Sequence, residues 1–237
     1  MQPTIKQILL IVVAMLVYLT VMLTAATAQD TQMISPSKDN TLVENLMGSL
    51  SNGAGQRFFV GRTNQGTDNI RRGVIAFDIA KSIPKGSKIT EVNLTLTLER
   101  TPGGKQSIKL HRLLQNWGEG KSSHQGGKGG KATSGEVTWI YTFYDTQSWS
   151  NQGGYFSDIV SGIQVVDDVG VYVWKSTPKM VADVQDWLDF PQSNFGWLLL
   201  GNEITPGTVK GFASRESKEH LAQPKLMVMY VKPSSIL

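Results

Sequence analysis

The chain has 237 residues, no cysteine and a formal net charge of +4 at pH 7. The lack of cysteine excludes disulfides, thiolate metal sites and cysteine nucleophiles. The mildly basic balance comes from scattered Lys and Arg residues without a basic helix or a nucleic-acid motif, so nucleic acid is excluded as a partner.

The N-terminus has the pattern of a secretory signal peptide. Lys6 supplies the positive charge, residues 8–23 form an apolar run, and Ala26-Thr27-Ala28 matches the site that signal peptidase reads. The run is shorter than the ~20 apolar residues of a spanning helix, and an uncleaved membrane anchor is the alternative. We therefore expect a secreted, periplasmic or cell-surface protein that starts at Gln29 and meets the membrane only before cleavage.

The mature chain is expected to form one β domain over residues 29–237. Loss of the first 28 of 237 residues leaves 209, and only Lys6 is lost, so the net charge becomes +3. That length allows a sizeable core without disulfides.

Alternation of apolar and polar residues predicts most of the elements. Residues 88–99 form the clearest strand, because Val92, Leu94 and Leu96 alternate with polar neighbours. A turn at 101–104 then predicts a return strand at 108–113. Residues 197–200 are apolar on both faces, which predicts a central strand. Further strands are predicted at 57–61, 73–79, 169–174, 196–200 and 225–231.

One short helix is predicted after Thr177. Thr177 is a good N-cap and Pro178 suits the first helical position. Met180, Val184 and Trp187 then fall on one apolar face, so Trp187 is expected in the core. Many short strands with one small helix favour an all-β fold, a β-sandwich of antiparallel sheets.

Several segments together resemble the DNRLRE-type domain, also classed as a family 96 carbohydrate-binding module. The segment at 71–79 reads Arg-Arg-Gly-Val-Ile-Ala-Phe-Asp-Ile, and the loop at 117–120 reads Trp-Gly-Glu-Gly. The other matching segments lie at 39–44, 59–62, 83–89, 137–139, 195–200, 212–216 and 224–226. The resemblance covers nearly all of the mature chain and implies a jelly roll of two antiparallel sheets in an exported, polysaccharide-binding protein. Relatives commonly have Asp where this chain has Tyr155.

Arginine and aromatic side chains are the candidate sugar-binding groups. Arginine matches a uronate carboxylate with two parallel donors, and aromatic rings stack on sugar faces. Arg71 and Arg72 are adjacent in a strand and should point to opposite faces, as should Arg215 and Glu216. The alternative is that Arg72 and Arg215 form structural ion pairs with Asp78, Glu216 or Glu44. The candidate residues of these two kinds are Arg57, Arg62, Arg71, Arg72, Arg215, Trp139, Tyr141, Trp149 and Tyr155.

Each aromatic candidate has structural packing as its alternative. Trp149 lies in a polar loop and is expected to be exposed, whereas Trp117 is expected to plug one end of the sandwich. Lys128 and Lys131 lie in a glycine-rich loop that could close over an anionic polymer, and the alternative is a solvated flexible loop.

Metal and catalytic sites find little support in the sequence. His111, His124 and His220 lack zinc-ligand spacing. Asp39, Glu44 and Asp78 are weak candidate ligands for a structural calcium ion, which stays open, and no cofactor is certain. No nucleophile elbow or phosphate-binding loop occurs.

The sequence therefore predicts an exported, non-catalytic carbohydrate-binding module for a polysaccharide or cell-envelope glycan, acidic or neutral. The alternative is a structural or adhesive extracellular protein without sugar specificity, which would have extracellular proteins as partners. A polysaccharide lyase or hydrolase ranks last, because no set of catalytic residues is apparent.

Overall fold

The computed structural model describes residues 29–124 and 126–233, so the predicted signal peptide at 1–28 lies outside it. Within these ranges the protein is mostly β, with strands joined by turns and few helical residues. The first strands are β1 (Gln29–Ile34), β2 (Pro36–Val43), β3 (Leu50–Ser51), β4 (Arg57–Arg62), β5 (Ile70–Phe77), β6 (Lys88–Arg100), β7 (Gln106–Leu113) and β8 (Gly130–Lys131). The others are β9 (Tyr141–Phe143), β10 (Gln147–Ser148), β11 (Phe156–Val166), β12 (Gly170–Trp174), β13 (Trp197–Leu200), β14 (Lys210–Ala213) and β15 (Lys225–Val231). The helices are α1 (Ile79–Ser82), α2 (Pro178–Asp189) and a 3-10 turn (Pro191–Ser193).

Eleven strands form one curled antiparallel sheet. Its hydrogen-bonded order is β1-β15-β6-β14-β4-β5-β13-β7-β11, with β12 added on β6 and β2 added on β5. The remaining strands form two small ribbons, β9 with β10 and β3 with β8. The curl encloses a main core to which both ends of the strand order contribute, with Ile34 from β1 and Val166 from β11.

The strongest periodic prediction is confirmed in β6. Val92, Leu94, Leu96 and Leu98 are buried, whereas the polar residues between them are partly exposed. The predicted return strand exists as β7, but the expected hairpin is wrong. The partners of β6 are β12, β14 and β15, whereas β7 pairs with β11 and β13. The turn after β6 therefore carries the chain to the other half of the sheet.

The central position of residues 197–200 is confirmed. Strand β13 lies between β5 and β7. Trp197 and Leu199 join the main core, and Leu198 joins a second core on the opposite face of the sheet. This second core contains Leu42, Val74, Ala76, Leu113, Trp117, Val137, Trp149 and Leu198. It forms because the long connection from 114 to 155 covers the outer face of β5 and β13.

The predicted helix is confirmed as α2. The Thr177 side chain accepts a hydrogen bond of 3.0 Å from the Met180 amide, which caps the first turn. Trp187 is fully buried and its ring lies 4.7 Å from that of Trp197, edge to face. The apolar face of α2 thus closes one side of the main core.

Some boundaries and elements differ from the predictions. The strand predicted at 73–79 runs from Ile70 to Phe77, because Asp78 caps the short helix α1 with its side chain. Strands β1, β3, β8, β9, β10, β11 and β14 were not predicted as elements. No helix in the described ranges is long and apolar enough to cross a membrane.

Candidate functional site

A surface groove lies where residues 122–124 and 126–128 lie against the outer face of the sheet. It consists of two adjoining cavities of about 420 and 570 Å³. Both cavities are lined by Arg100, His124 and Gly126. We call the two cavities together the basic groove. Its other lining residues are Ala54, Gly55, Gln56, Arg57, Phe59, Thr63, Gln65, Thr101, Pro102, Ser123, Gly127, Lys128, Val209 and Gly211.

The alternation of side chains along β4 places Phe59 at the floor of the groove. Phe58 and Val60 enter the main core, so Phe59 faces the opposite side of the sheet. A Cβ atom on Gly127 would lie 3.3 Å from the Phe59 ring, and one on Gly211 would lie 2.8 Å from it. Because both glycines lie against it, the ring offers no free face for stacking. The groove must therefore recognise a ligand by charge and hydrogen bonding.

The charge of the groove is of one sign. Its ionisable lining residues are Arg57, Arg100, Lys128 and His124, and none of the lining residues is Asp or Glu. Arg57 is paired with Glu99 at 2.6 Å. Arg100 and Lys128 are exposed, and in the described part of the chain neither forms an ion pair. Two cations without ion-pair partners in the described part of the chain thus flank a cleft that no carboxylate lines.

The loop that forms one wall is held by Glu136. Its Oε1 accepts hydrogen bonds from the Lys121 and Ser122 amides at 2.5 and 2.9 Å, and its Oε2 accepts one from the Thr133 amide at 3.0 Å. The hydroxyls of Ser122 and Thr133 add two further bonds. Burial alone would raise the pKa of Glu136, but these donors outweigh it and lower the pKa. One carboxylate therefore ties both ends of the loop together.

Arg71 supports the same loop from beneath. It is buried, and its guanidinium donates to the Gly127 carbonyl and, at 3.0 Å, to Gln65 Oε1. Both acceptors belong to residues that line the groove. Burial lowers the pKa of Arg71 to about 10. Arg71, predicted as a candidate ligand-binding residue, instead positions the groove wall.

Arg72 points to the opposite face from Arg71, as the alternation predicted. Its guanidinium makes two bonds to Glu203, at 2.7 and 2.9 Å, and one to the Gly153 carbonyl at 2.8 Å. It also lies over the Trp139 ring, 4.8 Å from the centroid. The expectation of a structural ion pair is correct, but the partner is Glu203 rather than Asp78, Glu216 or Glu44. These contacts clamp the 139–156 segment on β5 and leave Arg72 with few free donors.

Arg215 belongs to a third cluster, beside the Trp117–Gly120 loop. It donates to Glu119 at 2.7 Å and lies 3.4 Å from Glu216. The expectation that Arg215 and Glu216 point apart is wrong, because β14 ends at Ala213 and both residues lie in a turn. Burial, helped by Glu119, raises the pKa of Glu216 to about 7. Burial also raises the pKa of Asp39, and it lowers that of Lys38 to about 8.

The remaining candidates do not converge on the groove. Arg62 donates to the Ile204 carbonyl at 2.8 Å, and Tyr155 packs half-buried against the second core. The prediction that Trp149 is exposed is wrong: the residue is 5% exposed, and its indole donates to the Thr138 carbonyl at 3.0 Å. Lys131 is exposed, and it lies in β8, which pairs with β3. Trp117 is a packing residue in the second core, as expected.

The three candidate calcium ligands lie apart and have other roles. Asp39 accepts from the Arg215 amide at 2.7 Å, and Glu44 accepts from the Asn69 and Ile70 amides at 2.8 and 2.9 Å. Asp78 caps α1. Across residues 29–124 and 126–233, no three His, Asp or Glu side chains converge in a way that could hold a metal ion.

Of the predicted binding candidates, Arg57 and Lys128 line the groove. Arg100, His124 and Phe59 were missed. The signals available were modest: Arg100 ends the alternating strand just before a turn, and His124 lies within the glycine-rich loop already suspected of closing on an anion. Nothing in the sequence indicated that this loop lies over β4.

Fold and groove together define a mostly β, antiparallel protein with a basic surface groove. No family model matches the chain, and no curated protein matches it.

Proposed function

We propose that this chain is an exported, non-catalytic carbohydrate-binding module whose basic groove binds an acidic polysaccharide. The observation that carries the proposal is the placement of Arg100, Lys128 and His124 around one cleft without a carboxylate. The positive charges of such a cleft attract anions, and no negative lining residue repels them. An extended ligand suits it, because two cavities adjoin and together remain open to solvent.

The proposed recognition uses charge-assisted hydrogen bonds. The Arg100 guanidinium offers two parallel donors to a uronate carboxylate, and the Lys128 ammonium adds a second positive charge. Hydroxyls of Thr63 and Thr101 and loop carbonyls are the groups that face sugar hydroxyls. A neutral glycan would leave both cations uncompensated, so we expect polyuronates to bind more strongly.

We also propose a more specific fold for this chain and its export from the cell. The curled sheet is interpreted as a jelly-roll β-sandwich of the DNRLRE type, on the resemblance of the segments quoted above. Export rests on the signal-like pattern of residues 1–28. The lack of Asp and Glu among the groove's lining residues supports a non-catalytic role, because glycoside hydrolysis commonly needs two facing carboxyl groups.

The test is retention on a panel of neutral and acidic polysaccharides, with calcium or a chelator, at low and high salt. We expect retention by polyuronates that weakens as salt rises. The double variant Arg100→Gln with Lys128→Gln should bind about tenfold more weakly or worse, since a hydrogen bond to a charged group contributes about 1.5–3 kcal/mol. Circular dichroism confirms that each variant is folded.

The matched control removes the same charge elsewhere. Lys85 and Lys88 are exposed near the opposite end of β6, so Lys85→Gln with Lys88→Gln should leave retention unchanged. Equal losses in the two double variants would mean that net charge alone is responsible. Retention by no polysaccharide would refute the proposal and favour the structural or adhesive alternative.

A further inference from the structure

Strand β12 exposes a row of branched apolar side chains at an edge of the sheet. Val171 is 66% exposed and Val173 is 36% exposed, and Val169, in the preceding turn, is 62% exposed. In the described part of the chain, β12 pairs only with β6. Every second residue of an edge strand directs its N–H and C=O groups away from the sheet. The edge is therefore apolar on its outer face and unpaired along its backbone.

The edge is regular and its starting turn is fixed. Five consecutive residues of β12 pair with β6 without a register shift. The Tyr172 hydroxyl accepts from the Asp167 amide at 3.0 Å and donates to the Asp168 carbonyl at 2.7 Å. The Lys210 ammonium donates to the Asp167 carbonyl at 2.9 Å. These contacts keep β12 extended, so its outer backbone groups can pair with another strand.

Charges at the two ends of this edge are complementary to each other. Asp167 and Asp168 precede the valines, and Lys175 follows them. If two such strands pair antiparallel about a twofold axis at Val171, Asp167 of each copy lies opposite Lys175 of the other. The same register sets Val169 opposite Val173. Opposite charges and branched apolar pairs both favour cross-strand contact.

We propose that β12 is the docking strand for a second copy of this chain, paired antiparallel about Val171. The pairing continues the sheet of one copy into that of the other through backbone hydrogen bonds. Because the contact is isologous, it closes as a dimer rather than a fibre.

Strands β1 and β11, at the two ends of the strand order, are edge strands as well. Strand β11 also exposes apolar side chains, among them Ile163 and Val165. Its pairing with β7 has register shifts between Phe156 and Val160 and between Val160 and Gly162, whereas residues from Gly162 to Val166 pair regularly. The irregularities twist the first half of this edge and hinder further pairing there. Strand β11, with exposed valine and isoleucine of the same kind, serves as the internal control.

The chain has no cysteine, so a single introduced cysteine can form a disulfide only with the same cysteine of another copy. Directly opposed residues of an antiparallel pair have Cβ atoms about 4.5–5.5 Å apart, close to disulfide distance. Under mild oxidation, Val171→Cys should form a disulfide-linked dimer. Val165→Cys, oxidised for the same time, should stay monomeric. Equal crosslinking at the two positions would overturn the register.

Sedimentation of the cysteine-free protein, expressed from its full sequence, tests the association itself. The parent should sediment as a dimer, and Val171→Lys should shift it to a monomer because two lysines then face each other at the axis. Val165→Lys, which makes the same exchange on β11, should remain dimeric. A parent that is monomeric at every concentration overturns the proposal. No polysaccharide is used, so the result is independent of the proposed function.

Discussion

Replacing Glu136 with Gln tests whether one carboxylate holds the wall of the basic groove. The carboxylate has only acceptor oxygens, and both face donors. In the glutamine variant, an NH₂ group must replace one oxygen. At the Oε2 position it meets the Ser122 hydroxyl, which can accept from it while still donating to the Lys131 carbonyl at 2.6 Å. The amide of Thr133 then loses its acceptor.

The expected loss of folding stability follows from this hydrogen-bond arrangement. An unsatisfied buried donor costs about 1–3 kcal/mol, and weakening the charge-assisted bonds adds about 1 kcal/mol. We expect Glu136→Gln to lower the free energy of unfolding by about 2–4 kcal/mol at pH 7. Glu136→Ala should cost more, because it leaves the Lys121, Ser122 and Thr133 amides without their acceptor.

The assay is urea unfolding of parent and variant across pH. Because the folded pKa of Glu136 lies below its ordinary value, its contribution is fully present above the unfolded pKa and is lost as pH falls through the folded one. The difference between parent and Glu136→Gln should therefore be constant above about pH 5 and shrink at lower pH. A variant as stable as the parent at pH 7, or a difference that grows in acid, would refute the reasoning.

Three further substitutions probe the other clusters. Arg72→Ala should lower stability by about 2–3 kcal/mol in urea unfolding without affecting polysaccharide retention, because its partners lie outside the groove; an undiminished stability would contradict the clamp. Glu216→Gln should match the parent near pH 4 and exceed its stability by about 1–2 kcal/mol above pH 7, after allowance for partial exposure. The variant is the more stable protein at high pH because the pKa of Glu216 in the folded state, about 7, lies above its ordinary value. The folded parent therefore favours the neutral carboxyl, and this stabilisation is lost as pH rises through about 7. A pH-independent difference would argue against it. Lys210→Met should cost about 2–4 kcal/mol, since it leaves the Thr101 hydroxyl and several carbonyls without their donor; a change in the urea midpoint within error would contradict that role.

The sequence determined those elements whose cause is local. Alternation from Val92 to Leu98 predicted β6 and its buried face, and the Thr177 cap with Pro178 predicted the start of α2. The apolar run at 197–200 indicated burial on both faces, which β13 shows. In each case, neighbouring residues carry the whole signal, because strand and helix periods are short-range properties.

The tertiary structure decided where the chain crosses between the two halves of the sheet and which side chains meet. A turn after β6 permits a hairpin, but β12 and β15 occupy the two sides of β6 instead. Arg72 finds Glu203 131 residues away, a partner that local alternation cannot indicate. Trp149 is buried by a core that exists only once the 114–155 connection folds over β5 and β13.

The basic groove is likewise a product of tertiary structure. Arg57, Arg100, His124 and Lys128 come from β4, the end of β6 and one loop, and they meet because β14 joins β4 to β6. The sequence determined that cations and glycines occur in this loop; the pairing of distant strands decided that they surround one cleft. Long-range backbone hydrogen bonds and burial select that pairing, and they depend on the whole chain rather than on any window of it.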